Sequence, residues 1–326
     1  MFHQARASLG ALVLGLLVAD AAAQTPPPVA GDAPGRPPPP AAALLPLDPA
    51  QRGALAAALA RGDYLRAETI LVEEINRDPK SPRAAKLLAA AGGLFFLDGQ
   101  YLNAAIAFKK AEALGQLDDR SRFTLAMAYI ALGRREWARP ELEKLAASDA
   151  RNALYPYWLA RLDYDAQLYD AAALRLKQAI ALDPSMARAH DNLALCYEHL
   201  GDFDEAERHY RRAIELNRGQ AKPSPWPHVN LAALLVVSDR LDEAEALLRE
   251  ALHFDARLPQ AHYRLGQILE KRGKLPEAIE SLNRAVELDS NYAEPYYTLG
   301  RAYTRVGDEE GARKAFETHR RLRQGR

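Results

Sequence analysis

The sequence predicts an all-α fold, a solenoid of about eight stacked helix-turn-helix units. Three observations carry that expectation. An alanine recurs at Ala67, Ala104, Ala138, Ala172, Ala206, Ala244, Ala278 and Ala312, at steps of 34 residues broken once by 37 and once by 38. Twelve places before these alanines stands a small residue, at Gly92, Ala126, Ala160, Ala194, Ala232, Gly266 and Gly300, with Leu55 departing in the first unit. Five places before them stands a turn residue, at Gly62, Gly99, Gly133, Gly201, Gly273 and Gly307, with Gln167 and Asp239 as the exceptions. Alanine is common in this chain, so one coincidence means little. Eight in register with two further columns define a repeat.

The chain opens with a different element. Met1 to Arg6 carries positive charge, Leu9 to Val18 reads "LGALVLGLLV", and Ala21 and Ala23 stand at the two small-residue places before a cleavage point. That order is the secretory signature. The apolar run has about half of the roughly 20 residues that a membrane-spanning helix needs. Residues 1–23 are therefore expected to be a signal peptide, cleaved after Ala23, with an uncleaved anchor as the alternative. The expected destination is export, to the periplasm or otherwise secretion, with no membrane span after cleavage. Residues 24–47 follow as a proline-rich, disordered linker. Ten prolines fall between Gln24 and Pro49, and polyproline stays extended because it cannot bury a core. Cys196 is the lone cysteine, so stability must come from packing rather than an internal disulfide.

The solenoid is expected over residues 48–326, in units near 48–81, 85–118, 119–152, 153–186, 187–220, 225–258, 259–292 and 293–326. Each unit holds two helices of about twelve to fourteen residues, within the ordinary range for globular proteins. Glycine ends the first helix because a left-handed cap carries no Cβ penalty there. Pro276 falls where a second helix starts, a place that tolerates it. Asp78-Pro79 and Asp183-Pro184 end second helices. The small residues let two helices approach, and large residues four places after each alanine, such as Phe108, Leu142, Tyr210 and Leu282, fill the groove beside them. "NRGQAKPSPWPH", Asn217 to His228, holds four residues beyond the period. It reads as a loop on which Trp226 could form a lip.

This pattern resembles the tetratricopeptide repeat. "HYRLGQIL" (262–269) with "EAIESLNRAVELDS" (277–290), and "YYTLGRAY" (296–303) with "GARKAF" (311–316), carry the resemblance most closely. It covers about Asp48 to His319 and is specific for fold rather than for function. It implies a right-handed superhelix with a long concave face.

No catalytic pattern accompanies the repeats. The sequence has no GxSxG elbow, phosphate loop, GxGxxG or HExxH, and no cofactor or enzymatic activity is expected. Charges of 43 basic against 43 acidic residues argue against nucleic acid, which needs a basic surplus. His190, His228 and His262 occupy the same place in three successive units. Neighbouring helices pack about 8–10 Å apart, too far for equivalent places to share one metal ion. They are expected to pack where the family usually has an aromatic, and no metal site is expected. Cys196 reads as a core residue.

The resemblance implies that first helices line the concave face. Carried over place by place, this marks Asn192 and Asn230, with Arg264 at the same place in the next unit, as groove residues. Asparagine suits a bound peptide backbone because its amide both donates and accepts. The neighbouring column gives Phe123, Tyr157, Tyr263 and Tyr297, and a turn or more further along come Arg161 and Tyr164. The candidate peptide-binding set is Asn192, Asn230, Arg264, Tyr157, Arg161, Tyr164 and Tyr263. The family's two-carboxylate clamp is not supported, since Asp191, Leu195 and Gln260 stand at three of its places.

The expected function is a non-catalytic scaffold in the cell envelope that binds an extended protein or peptide segment in the groove. The alternatives are a self-assembling structural protein, in which Ala315, Phe316 and Leu322 leave an apolar end, or an accessory module of an envelope enzyme such as a glycosyltransferase.

Overall fold

The structure is a computed structural model that describes residues 39–115 and 117–324. The expected signal peptide, and the linker up to residue 38, lie outside the described residues. The array has sixteen α-helices and, among the described residues, no strand. In pairs they are α1 (Pro49–Ala60) and α2 (Tyr64–Arg77); α3 (Pro82–Leu97) and α4 (Tyr101–Leu114); α5 (Asp119–Ala131) and α6 (Arg135–Ser148); α7 (Leu154–Asp165) and α8 (Tyr169–Leu182). There follow α9 (Ala187–Leu200) and α10 (Phe203–Asn217); α11 (Trp226–Val237) and α12 (Leu241–Phe254); α13 (Pro259–Lys271) and α14 (Leu275–Leu288); α15 (Ala293–Val306) and α16 (Glu309–Gln324).

The three sequence columns become three packing features. All eight turn positions have positive φ, from 60° at Asp239 and 62° at Gln167 to 82° at Gly307. The register thus imposes the left-handed turn even where the residue is not glycine. The recurring alanines sit at the crossing of the two helices, and Ala206 is fully buried. The small residues accept the large ones. A Cβ built on Gly92 would lie 2.9 Å from the Phe108 ring, on Gly266 2.6 Å from Leu282, and on Gly300 2.5 Å from the Phe316 ring. Side chains cap several helix starts, with Asp48 accepting from Gln51 N at 2.8 Å and Asp118 from Ser121 N at 2.7 Å.

Neighbouring first helices approach one another directly, α7 with α9, α9 with α11, α11 with α13 and α13 with α15. No second helix does so with the next second helix among the described residues. Long side chains bridge that wider gap instead, as Arg211 of α10 does to Glu243 of α12. The closer spacing puts first helices on the inner side of the curve.

Two details differ from the sequence reading. Residues 39–47, assigned there to the proline-rich linker, are packed against the first units. Ala42–Leu44 form a 3₁₀ turn, and Leu47 is buried. Arg83 Nε donates to the Pro46 carbonyl at 2.6 Å, and Arg52 makes two bonds to the Leu47 carbonyl. The apolar "AALLPL" stretch has a surface to bury against, which the prolines upstream of it do not supply. Trp226 is also no lip. It opens α11 and is buried, while the insertion is pinned to the helix before it. The Asn217 amide donates to the Ser224 carbonyl at 2.6 Å and accepts from the Ser224 N–H at 2.9 Å.

Candidate functional site: the inner face of units four to seven

The candidate residues stand on α7, α9, α11 and α13, and contacts between successive units join those of units four to six. Arg161 of α7 donates to Asn192 Oδ1 of α9 at 2.7 Å. The Asn192 amide nitrogen donates to the Arg188 carbonyl at 2.7 Å and lies 3.4 Å from the Tyr157 hydroxyl. The Arg188 guanidinium covers the Tyr157 ring at 4.8 Å. Asn230 of α11 donates to Asp191 Oδ1 of α9 at 3.1 Å. Arg264 of α13 lies over its neighbour Tyr263 and donates to Gln267, which in turn donates to the Tyr263 hydroxyl at 2.7 Å.

These bonds sort the set by accessibility. Tyr157 is only 1% exposed and Asn192 4%. Tyr164 is buried too, and its hydroxyl is 2.9 Å from His199 Nε2. Burial raises the Tyr164 pKa above its ordinary value and lowers that of His199, so both stay neutral near pH 7. Asn192 therefore uses its amide on this chain, holding Arg161 and the backbone of α9. Arg161, Asn230 and Arg264 are half-buried, with part of each side chain open on the inner face. Tyr263 is 8% exposed beneath Arg264.

Sequence reasoning missed Arg188. It stands one helical turn before Asn192, and that spacing of four places it on the same face. Glu198, which the repeat register places further along the same face, accepts from the buried Tyr210 hydroxyl, and burial raises its pKa. The Cys196 thiol is fully buried, and burial pushes its pKa up to about 12. A thiol in that state is inert as a nucleophile at neutral pH.

The three aligned histidines have separate partners. His190 Nδ1 lies 2.9 Å from His209 Nδ1, within its own unit. His228 is fully buried against Phe254, with Glu250 at 3.4 Å. His262 Nε2 lies 3.0 Å from the Ala256 carbonyl.

Residues 187–220 and 225–250 each match the tetratricopeptide repeat family, and residues 267–307 match its TPR repeat relative. No curated protein matches the sequence. Among solved structures, a tetratricopeptide repeat protein from Parabacteroides merdae ATCC 43184 is similar at 18% identity and a TM-score of 0.64, over 78% of this chain and 97% of that one. The APC/C hetero-tetramer Cut9-Hcn1 is similar at 18% identity and a TM-score of 0.62, over 76% of this chain; the match spans about half, 48%, of that chain. Yeast Tom70 is similar at 18% identity and a TM-score of 0.58, over 86% of this chain and 62% of that one. At these identities the likeness is one of fold. No helix among the described residues is long and apolar enough to cross a membrane. The in-register helix pairs, the glycine and alanine seats beneath their large partners, and the three matched segments together show that this chain carries tetratricopeptide repeats.

Proposed function

We propose that this protein is a non-catalytic scaffold that holds an extended segment of a protein partner along the inner face of units four to seven, in the cell envelope. The observation that carries the reading is the row of half-open polar side chains on first helices, Arg161, Asn230 and Arg264, the first two fixed by neighbours from adjacent units and Arg264 by Gln267 of its own helix. Side chains already held in one rotamer cost less to order on binding. Asn230 offers part of its amide to a partner backbone, while Asn192 acts from behind by holding Arg161. Tyr157, Tyr164 and Tyr263 form the floor on which the polar row rests.

The order of charge, apolar run and small residues ending at Ala23 supports export. Mass spectrometry of the mature protein should find Gln24 first; an intact Met1 in a cytoplasmic fraction contradicts it. Crosslinking in the native cell identifies the partner. Titration of that partner should then show at least tenfold weaker binding to an Asn230→Ala, Arg264→Ala chain with an unchanged melting temperature. Equal affinity puts the binding surface elsewhere.

A second reading is self-assembly through the last unit. A cavity of about 460 Å³ there is lined by Tyr297, Phe316 and His319, and Tyr297 is 48% exposed. Light scattering that gives a concentration-independent monomer mass removes it.

A further inference from the structure

Eight arginines of the described residues are half-buried. Four of them, Arg122, Arg139, Arg175 and Arg272, are ion-paired to carboxylates. Arg52 is spent on the Leu47 carbonyl. The three that remain are Arg161, Arg188 and Arg264, and among the described residues none of them forms an ion pair. All three stand on first helices of units four to seven. Their hydrogen-bond and ring partners are neutral: an asparagine amide for Arg161, the Tyr157 ring for Arg188, and Gln267 with the Tyr263 ring for Arg264, with the Glu198 carboxylate within electrostatic reach of Arg264 alone.

That distribution is not what stability alone produces. A half-buried guanidinium loses part of its hydration, and a nearby carboxylate restores the loss. This chain supplies one wherever a half-buried arginine lies off this face, except at Arg52. On the face itself the acids are engaged otherwise. Asp191 accepts from Asn230, and Glu198 accepts from Tyr210. Arg188 and Arg264 instead lie over tyrosine rings, 4.8 and 5.6 Å from the ring centroids, and Arg161 is held by the Asn192 amide; these contacts position the guanidinium without supplying a negative charge.

We infer that the inner face of units four to seven is selective for an acidic extended segment of a partner protein, whose Asp and Glu side chains pair with Arg161, Arg188 and Arg264. The inference rests on the binding reading above and names the class of partner. Arg161 and Arg188 flank one point of the groove, since both touch the Tyr157–Asn192 pair. One acidic side chain meets both there, and another meets Arg264 two units along. A guanidinium pairs with a carboxylate through two parallel hydrogen bonds, which gives orientation as well as attraction.

The test uses the full mature chain and a fluorescein-labelled oligoglutamate peptide, read by anisotropy, beside an oligolysine and an uncharged Gly-Ser peptide of equal length. The acidic peptide alone should bind, and its affinity should fall as salt rises. Arg161→Gln, Arg188→Gln and Arg264→Gln should each weaken it several-fold, and the triple variant at least tenfold. Arg211→Gln on α10, facing away, should leave it unchanged. Arg188→Lys keeps the charge and loses the fork, so it should fall between parent and Arg188→Gln. A circular dichroism melt on each variant separates lost binding from lost folding. Absence of acidic-peptide binding at low salt overturns the inference, as does a triple variant that folds and binds like the parent. Complete competition by inorganic phosphate at equal charge concentration also overturns it, since the site would then be a general anion site. A native partner that crosslinks to this face through a segment without acidic residues overturns the inference alone. A partner that crosslinks only to second helices overturns the binding reading beneath it.

Discussion

Helix α3 carries two adjacent glycines with opposite surroundings, and they allow the packing account to be tested within one turn of one helix. A Cβ on Gly92 would meet three atoms of the Phe108 ring at 2.9–3.0 Å, while a Cβ on Gly93 would meet nothing within 4 Å. Phe108 is 1% exposed, and moving its ring off this seat gives up its packing against α3. Replacing either glycine by alanine gains about 1 kcal/mol of helix propensity. At Gly93 nothing opposes that gain, so Gly93→Ala should stabilise the chain by about 1 kcal/mol. At Gly92 the overlap with Phe108 costs about 1–3 kcal/mol, so the net change should lie between neutral and about 2 kcal/mol destabilising. The propensity term is common to both variants and cancels in their difference. Gly93→Ala should therefore be more stable than Gly92→Ala by about 1–3 kcal/mol. Repeat arrays distribute stability over nearest-neighbour units, so hydrogen exchange of the α3 and α4 amides is the direct assay, with a thermal melt beside it. If Gly92→Ala protects those amides as well as Gly93→Ala does, the seat for Phe108 does not exist as described.

Three further outcomes follow from the same structure. Gln167 holds φ at 62°, so Gln167→Gly should stabilise the chain by about 1 kcal/mol in denaturant unfolding. Asp239→Gly should gain less, because Asp239 also pairs with Lys271 of the next unit; an equal gain at both sites contradicts that role for the pair. Burial lowers the pKa of His209 to about 4 and also that of His190, with Arg208, Arg212 and Lys177 adding positive charge and Glu205 opposing it. The folded chain then binds fewer protons than the unfolded chain between the ordinary histidine value of about 6.5 and about 4. Stability should accordingly be fully present above that window and fall as pH drops through it. His209→Phe should flatten the melting temperature over the same window, and an unchanged slope would show that other groups set it.

The repeat register was legible because it is local and periodic. The eight turn positions follow from spacing alone, and even Gln167 and Asp239 take the left-handed conformation that the register demands. The face of each first helix was legible for the same reason. What lay beyond the sequence was contact between units. Asn192 was readable as a groove position, but its bonds to Arg161 and Tyr157 join residues 31 and 35 places apart. Whether an asparagine is open to a ligand or spent on the chain depends on such contacts, and spacing does not encode them. The docking of Leu47 depends in the same way on Arg83, 37 residues beyond Pro46. Arg188 was within reach, since a step of four from Asn192 finds it. Its significance needed the ion-pair partners of the other arginines, which only coordinates supply.

The central claim is that the inner face of first helices is where a partner is held. A photoreactive side chain placed at Gln267, half-open on α13, and at Arg212, exposed on α10, tests it most directly. In the native cell the Gln267 probe should crosslink a discrete protein partner, the Arg212 probe should not, and the Arg161→Gln, Arg188→Gln, Arg264→Gln background should abolish the Gln267 product. Crosslinking from Arg212 alone, or a Gln267 product that survives the triple change, contradicts the account.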